Sequence, residues 1–168
     1  MTILLLASMA SAVLLASGVA WAITTIDCKA SKSCQGTGGD DVITGTASRD
    51  VIIPYDGTDI VYADPPNKPL TNPPTFPKEG GNDDVRHSFG DDTIYGGGGN
   101  DTLRGGRGKD TIYGGPGKDL IDCAYLETRT GDTGDTAYYT PSEGDVVVDC
   151  KDKKLWDPTN PYDPNFGK

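Results

Sequence analysis

Histidine is all but missing: His87 is the only one in 168 residues, and it falls at a loop position. Neither a Ser-His-Asp nor a Cys-His nucleophilic arrangement can be assembled from it. A zinc site would have to rely on four cysteines without CxxC spacing, so zinc is the weaker of two readings for them. Phosphate-loop chemistry is absent too. Gly108-Lys109 and Gly117-Lys118 are each followed by aspartate instead of Ser or Thr, and no glycine stands five residues before either glycine. No Glu closes a twelve-residue loop of EF-hand form. Positive charge is also short, with 15 Lys and Arg against 25 Asp and Glu and a net charge of −10, which argues against a nucleic-acid partner. No catalytic constellation remains, and the chain is expected not to be an enzyme.

Glycine and aspartate are abundant, and they are in register. From Gly96 to Asp122 the chain reads GGGGNDTLR, GGRGKDTIY, GGPGKDLID, three units of Gly-Gly-x-Gly-x-Asp-x-(Leu/Ile)-x. The same frame extends backward. KEGGNDDVR (Lys78 to Arg86) and HSFGDDTIY (His87 to Tyr95) keep the glycine at position four, the aspartate at six and the apolar residue at eight. GTGGDDVIT, GTASRDVII and PYDGTDIVY (Gly36 to Tyr62) form an earlier run, with Ser48 replacing one position-four glycine. Self-similarity at a fixed short period is the signature of a stacked repeat architecture.

The residues account for the period. Glycines permit the positive-φ backbone of a tight loop, and positions seven to nine read as a short strand with its central side chain pointing inward. Each unit is a loop plus a strand, two units make a coil of about eighteen residues, and units two apart stack. Stacking sets like charges together: Asp101 above Asp119, or Asp92 above Asp110, stand about 4.8 Å apart if the strands pair normally, a repulsion of about 3 kcal/mol per pair at an effective dielectric of about 20. A cation is expected to bridge them. Carboxylates and backbone carbonyls without His or Cys suit calcium. With one inward apolar side chain per unit the core is thin, so folding is expected to be coupled to metal binding.

These units resemble the RTX, or hemolysin-type, calcium-binding repeat of secreted bacterial proteins, over residues 78–122 and more loosely over 36–62. The resemblance implies an all-β fold, a parallel β-roll (β-solenoid), with calcium held between loops. It implies side-chain ligands Asp41, Asp59, Asp83, Asp92, Asp101, Asp110 and Asp119, and backbone carbonyl ligands at Gly97, Gly99, Gly106, Gly108, Gly115 and Gly117. Asp50 has the right position but shares its loop with Ser48 and stands outside that set. About three to six ions fit the stacked loops.

The flanks complete the layout. Residues 1–22 are uncharged and end Ala20-Trp21-Ala22, which fits a cleaved secretory signal; the positive n-region is missing, and an uncleaved anchor is the alternative. Residues 23–35 are expected to form an N-terminal cap, 36–62 the degenerate repeats, 63–77 a loop with six prolines ejected from the stack, 78–122 the strong repeats, 123–150 the C-terminal capping turns, and 151–168 a tail without periodicity. An even cysteine count in an exported chain suggests disulfides. Of three connectivities, Cys28 with Cys34 and Cys123 with Cys150 is preferred, because it closes both ends of the roll.

Asp135-Thr136-Ala137-Tyr138 and Asp145-Val146-Val147-Val148 look like degenerate closing turns, with Asp132 and Asp135 read as a solvated acidic loop. If the roll continues across the proline-rich loop, Tyr62, Tyr95 and Tyr113 line one sheet while Arg86, Arg104 and Asp122 line the other. The expected role is a monomeric, secreted, non-catalytic calcium-binding module. The competing role is a calcium-dependent surface or matrix interaction protein presenting Thr93, Tyr95, Thr111 and Tyr113.

Overall fold

The computed structural model describes residues 23–29, 33–66, 80–86, 88–124 and 134–155. The expected leader, most of the insertion, His87, Asp132 and Trp156 lie outside those residues. Strands are numbered in chain order. One sheet runs, in spatial order, β1 (Thr24–Asp27), β3 (Asp41–Thr44), β5 (Ile60–Tyr62), β8 (Thr93–Tyr95), β11 (Thr111–Tyr113), β13 (Thr136–Tyr139) and β15 (Asp152–Leu155). The facing sheet holds β2 (Cys34–Gln35), β4 (Val51–Ile53), β6 (Asp84–Val85), β9 (Thr102–Arg104), β12 (Leu120–Asp122) and β14 (Val146–Val148). β7 (Ser88–Phe89) and β10 (Gly106–Arg107) add a short ladder on one row of loops. Every pairing is parallel, which makes the fold the all-β parallel roll expected of alternating loops and strands.

The inward row follows from the strand's two-residue alternation. Ile43, Val61, Ile94 and Ile112 come from one sheet, Ile52, Val85, Leu103 and Ile121 from the other, and all are fully buried. Partners are 18 residues apart, as in Ile43 with Val61 or Leu103 with Ile121, except where an insertion intervenes and Val61 pairs with Ile94. Position nine faces outward and sorts by sheet. Tyr62, Tyr95, Tyr113 and Tyr138 stack with ring centroids 5.2, 4.7 and 4.5 Å apart. On the other sheet Arg104 lies 2.5 Å from Asp84 and pairs in register with Asp122.

The structure redraws the insertion. The position-one N–H of Gly45 donates to Tyr62 O (2.7 Å) and that of Gly96 to Tyr113 O (2.9 Å); Ala63 makes the same bond to Tyr95 O (2.9 Å). Ala63 and Asp64 are therefore positions one and two of a repeat whose positions three to six are Gly80, Gly81, Asn82 and Asp83. The insertion splits a loop instead of separating two blocks. Ala63 is fully buried in the core, and so it belongs to the roll and not to the ejected loop.

The ends are closed covalently and by extra strands. Cys28 bonds to Cys34 and Cys123 to Cys150. β15 extends the roll into the segment that has no repeat signature, pairing Asp152 to Leu155 with Thr136 to Tyr139. Its lysines explain its place: Lys154 sits over the last tyrosine ring, Nζ 5.3 Å from the centroid of Tyr138, and Lys153 Nζ donates to Val147 O at 2.8 Å. A charged edge strand also discourages further pairing. Replacing Cys123 and Cys150 together by Ala is expected to cost about 3 kcal/mol, read as a lower thermal midpoint in saturating calcium.

Candidate metal centre

Each turn places its position-six aspartate just before a strand, so parallel stacking lines these residues up in two columns. In the first, the N–H of Asp41 donates to Asp59 Oδ1 (2.9 Å), Asp59 to Asp92 (2.9 Å), Asp92 to Asp110 (3.0 Å) and Asp110 to Asp135 (2.8 Å). In the second, Asp50 donates to Asp83 (2.7 Å), Asp83 to Asp101 (2.9 Å), Asp101 to Asp119 (2.9 Å) and Asp119 to Asp145 (2.9 Å). Apart from Asp145 these carboxylates are almost completely buried. Asp135 is thus a column member and not part of a solvated loop: without any glycine signature it still presents Oδ1 to the turn before it.

One oxygen of each carboxylate is used in the same way; the second divides the loops into two kinds. Where position two is Thr or Ser, the loop satisfies Oδ2 itself. Asp41 Oδ2 accepts from Thr37 N (2.6 Å) and Thr37 Oγ1 (3.0 Å). Asp50 Oδ2 accepts from Thr46 N (2.6 Å) and Oγ1 (2.9 Å), and Asp92 Oδ2 from Ser88 Oγ. Where position two has positive φ, as at Gly97 (101°), Gly115 (108°) and even Tyr55 (77°), that N–H is not available to the carboxylate. Oδ2 of Asp101, Asp119 and Asp59 then has no hydrogen-bond partner among the described residues, and neither has Oδ2 of Asp83. A positive φ is uncommon for tyrosine and concentrates where function holds it.

An unmatched buried carboxylate oxygen is expensive, and the protonation equilibria reflect this. Burial, the largest cause in every case, pushes Asp59, Asp83 and Asp119 up to about 7, Asp92 to about 6 and Asp101 to about 8. Neighbouring carboxylates push the same way: Asp119, Asp83 and Asp64 on Asp101, and Asp145 and Glu143 on Asp119. Backbone N–H groups oppose the shift without cancelling it.

Backbone oxygens face the same gaps. A Cβ on Gly115 or Gly117 would overlap the carbonyl oxygen of Gly97 or Gly99, and one on Gly106 or Gly108 would overlap that of Ser88 or Gly90. The carbonyls of Gly97 and Gly99 thus point at the next loop on their side. Among the described residues no group of three or more His, Cys, Asp or Glu forms a self-contained metal cage. What the loops offer is an all-oxygen donor set built from two turns at a time, with open carboxylate oxygens and glycine carbonyls. That set fits a hard cation of flexible geometry such as calcium.

The family model of the RTX calcium-binding nonapeptide repeat matches residues 35–65 and 87–121, in four copies. Those two segments are RTX calcium-binding nonapeptide repeats. No curated protein and no solved structure matches the chain. The matched RTX segments include Asp41, Asp59, Asp92, Asp101, Asp110 and Asp119 but leave out Asp83, whose loop the insertion divides. Three further aspartates of the stack lie beyond the ligands that the sequence pattern marks; Asp135 and Asp145 belong to the columns, and Asp64 does not. Asp64 stands just before the proline run, Asp135 lacks the Gly-Gly-x-Gly pattern although Gly134 precedes it, and Asp145 accepts from Thr140 N at 2.6 Å in a turn closed by a short 3-10 helix. The DTAY and GDVVVD strings were the available signals for the last two.

Proposed function

We propose that the chain is an exported, non-catalytic calcium-binding module whose roll is completed when calcium enters the gaps between stacked loops outside the cell. The observation that carries this reading is the set of buried, unmatched Oδ2 atoms on Asp59, Asp83, Asp101 and Asp119. These four and Asp110 are the principal side-chain ligands; Asp41 and Asp92, already hydrogen-bonded within their own loops, contribute less. Carbonyls of Gly97, Gly99, Gly106, Gly108, Gly115 and Gly117 complete the donor sets. Affinities of about 10⁻⁴ to 10⁻³ M, common in extracellular modules, leave the chain metal-free in the cytosol and loaded after export. The uncharged N-terminal stretch and the two disulfides favour that location.

Asp119→Asn and Asp41→Asn separate the two kinds of loop. Calcium titration followed by calorimetry is expected to show the loss of one binding step in Asp119→Asn, and near wild-type stoichiometry in Asp41→Asn. Equal stoichiometry in both variants would defeat the assignment.

A second reading has its own observation. Thr93, Thr111 and Thr136 pair in register beside the stacked Tyr95, Tyr113 and Tyr138; the half-buried threonines and Tyr113 form a regular row for a surface or matrix partner, while Tyr95 and Tyr138 are buried in the stack. Pull-down from envelope or matrix with and without calcium tests it, and it fails if no calcium-dependent partner is captured.

A further inference from the structure

Among the described residues, Asp64 is the one buried carboxylate that stands outside the two position-six columns. It occupies position two of the split loop, where other loops carry Thr, Ser, Tyr or Gly, and it is fully buried. Its oxygens accept from Gly81 N (3.3 Å) and Gly98 N (2.9 Å), so it ties the split loop to the turn stacked on it. The Asp64 side chain lies directly beneath Gly97: a Cβ there would stand 2.6 Å from Asp64 Cβ and 2.8 Å from its Oδ2. Asp101 Oδ2 lies 2.6 Å from the equivalent point on neighbouring Gly96, so both carboxylates face the same peptide. Asp64 Oδ2 and Gly98 O both crowd the space beside Gly80 Cα. The second oxygens of Asp83 and Asp101, residues only 2 % exposed, have no hydrogen-bond partner among the described residues.

We propose that Asp64 supplies a second carboxylate, beside Asp101, to the gap between the split loop and the Gly96–Asp101 turn, making it the tightest, first-filled calcium site of the roll, with Asp101 and Gly98 O as its other donors. Elsewhere in this column one position-six carboxylate is turned to each preceding turn, as Asp83 is to Asp50 and Asp119 to Asp101, and calcium affinity rises with ligand charge. A second negative charge in a dry gap is tolerated only with a cation present. The insertion then does not weaken the stack where it interrupts it, because the residue at its point of departure holds the ion that pins the two turns together.

The proposal rests on the calcium reading above, and the test separates the two. Calcium is titrated into the full exported chain and into Asp64→Asn, with native mass spectrometry reading each binding step. The first step is expected to weaken at least tenfold in Asp64→Asn while later steps hold. An unchanged first step overturns the Asp64 site and leaves calcium binding intact; a wild-type chain that binds no calcium overturns both. Hydrogen exchange of the wild-type protein at sub-saturating calcium needs no variant. Amides of residues 80–101 are expected to gain protection before those of 105–122, and the reverse order overturns the proposal.

Discussion

In metal-free buffer the roll is expected to be unfolded near pH 8 and to fold on acidification to about pH 5. Asp59, Asp83, Asp92, Asp101 and Asp119 bind protons in the folded state with affinities near pH 6 to 8, against an ordinary value of 3.8. Between these limits the folded state holds more protons than the unfolded chain, and each extra proton lowers stability by about 1.4 kcal/mol per pH unit as pH rises. The contribution is fully present below 3.8 and is lost as pH rises through 6 to 8. Calcium replaces those protons, so its affinity is expected to rise steeply over the same window, with protons released on binding. Far-UV circular dichroism at the two pH values, with and without calcium, reads the effect. A metal-free spectrum at pH 8 that matches the calcium-loaded one would contradict it.

The second large effect comes from the loops' backbone. Gly117 has φ of 140°, and a Cβ there would overlap Gly99 O of the loop below. Both neighbours are main chain, so neither can step aside by a rotamer change. Gly117→Ala is expected to cost about 3 kcal/mol or more, lowering the thermal midpoint in saturating calcium by on the order of 10 °C. Gly38→Ala is the control: nothing lies within 4 Å of its added Cβ, and a change within about 0.5 kcal/mol is expected. Comparable losses in both variants would show that loop stacking is not what the glycine preserves.

Much of this was readable because the nine-residue period carries its own register. The inward row of Ile94, Leu103, Ile112 and Ile121, the tyrosine row and the alignment of Asp101 with Asp119 all follow from counting positions, since strand alternation and parallel stacking are local rules applied repeatedly. Asp64 escaped because the insertion falls between positions two and three, leaving two residues of a repeat stranded before a proline run. Asp135 and β15 escaped for a different reason. Neither follows a Gly-Gly-x-Gly loop, although Gly134 directly precedes Asp135, and each is set by parallel pairing, β13 to β11 and β15 to β13. The division between self-satisfied and open carboxylates was present as Thr37, Thr46 and Ser88 against Gly97 and Gly115, but its meaning depends on where an N–H points, which the residue pattern does not show.

Native mass spectrometry of the oxidised chain across a calcium titration near pH 8 decides whether calcium is part of the fold. Stoichiometry and compaction are read together. A broad, highly charged metal-free envelope is expected to collapse to a compact one as about three to six ions bind. A compact, low-charge chain carrying no calcium would contradict it.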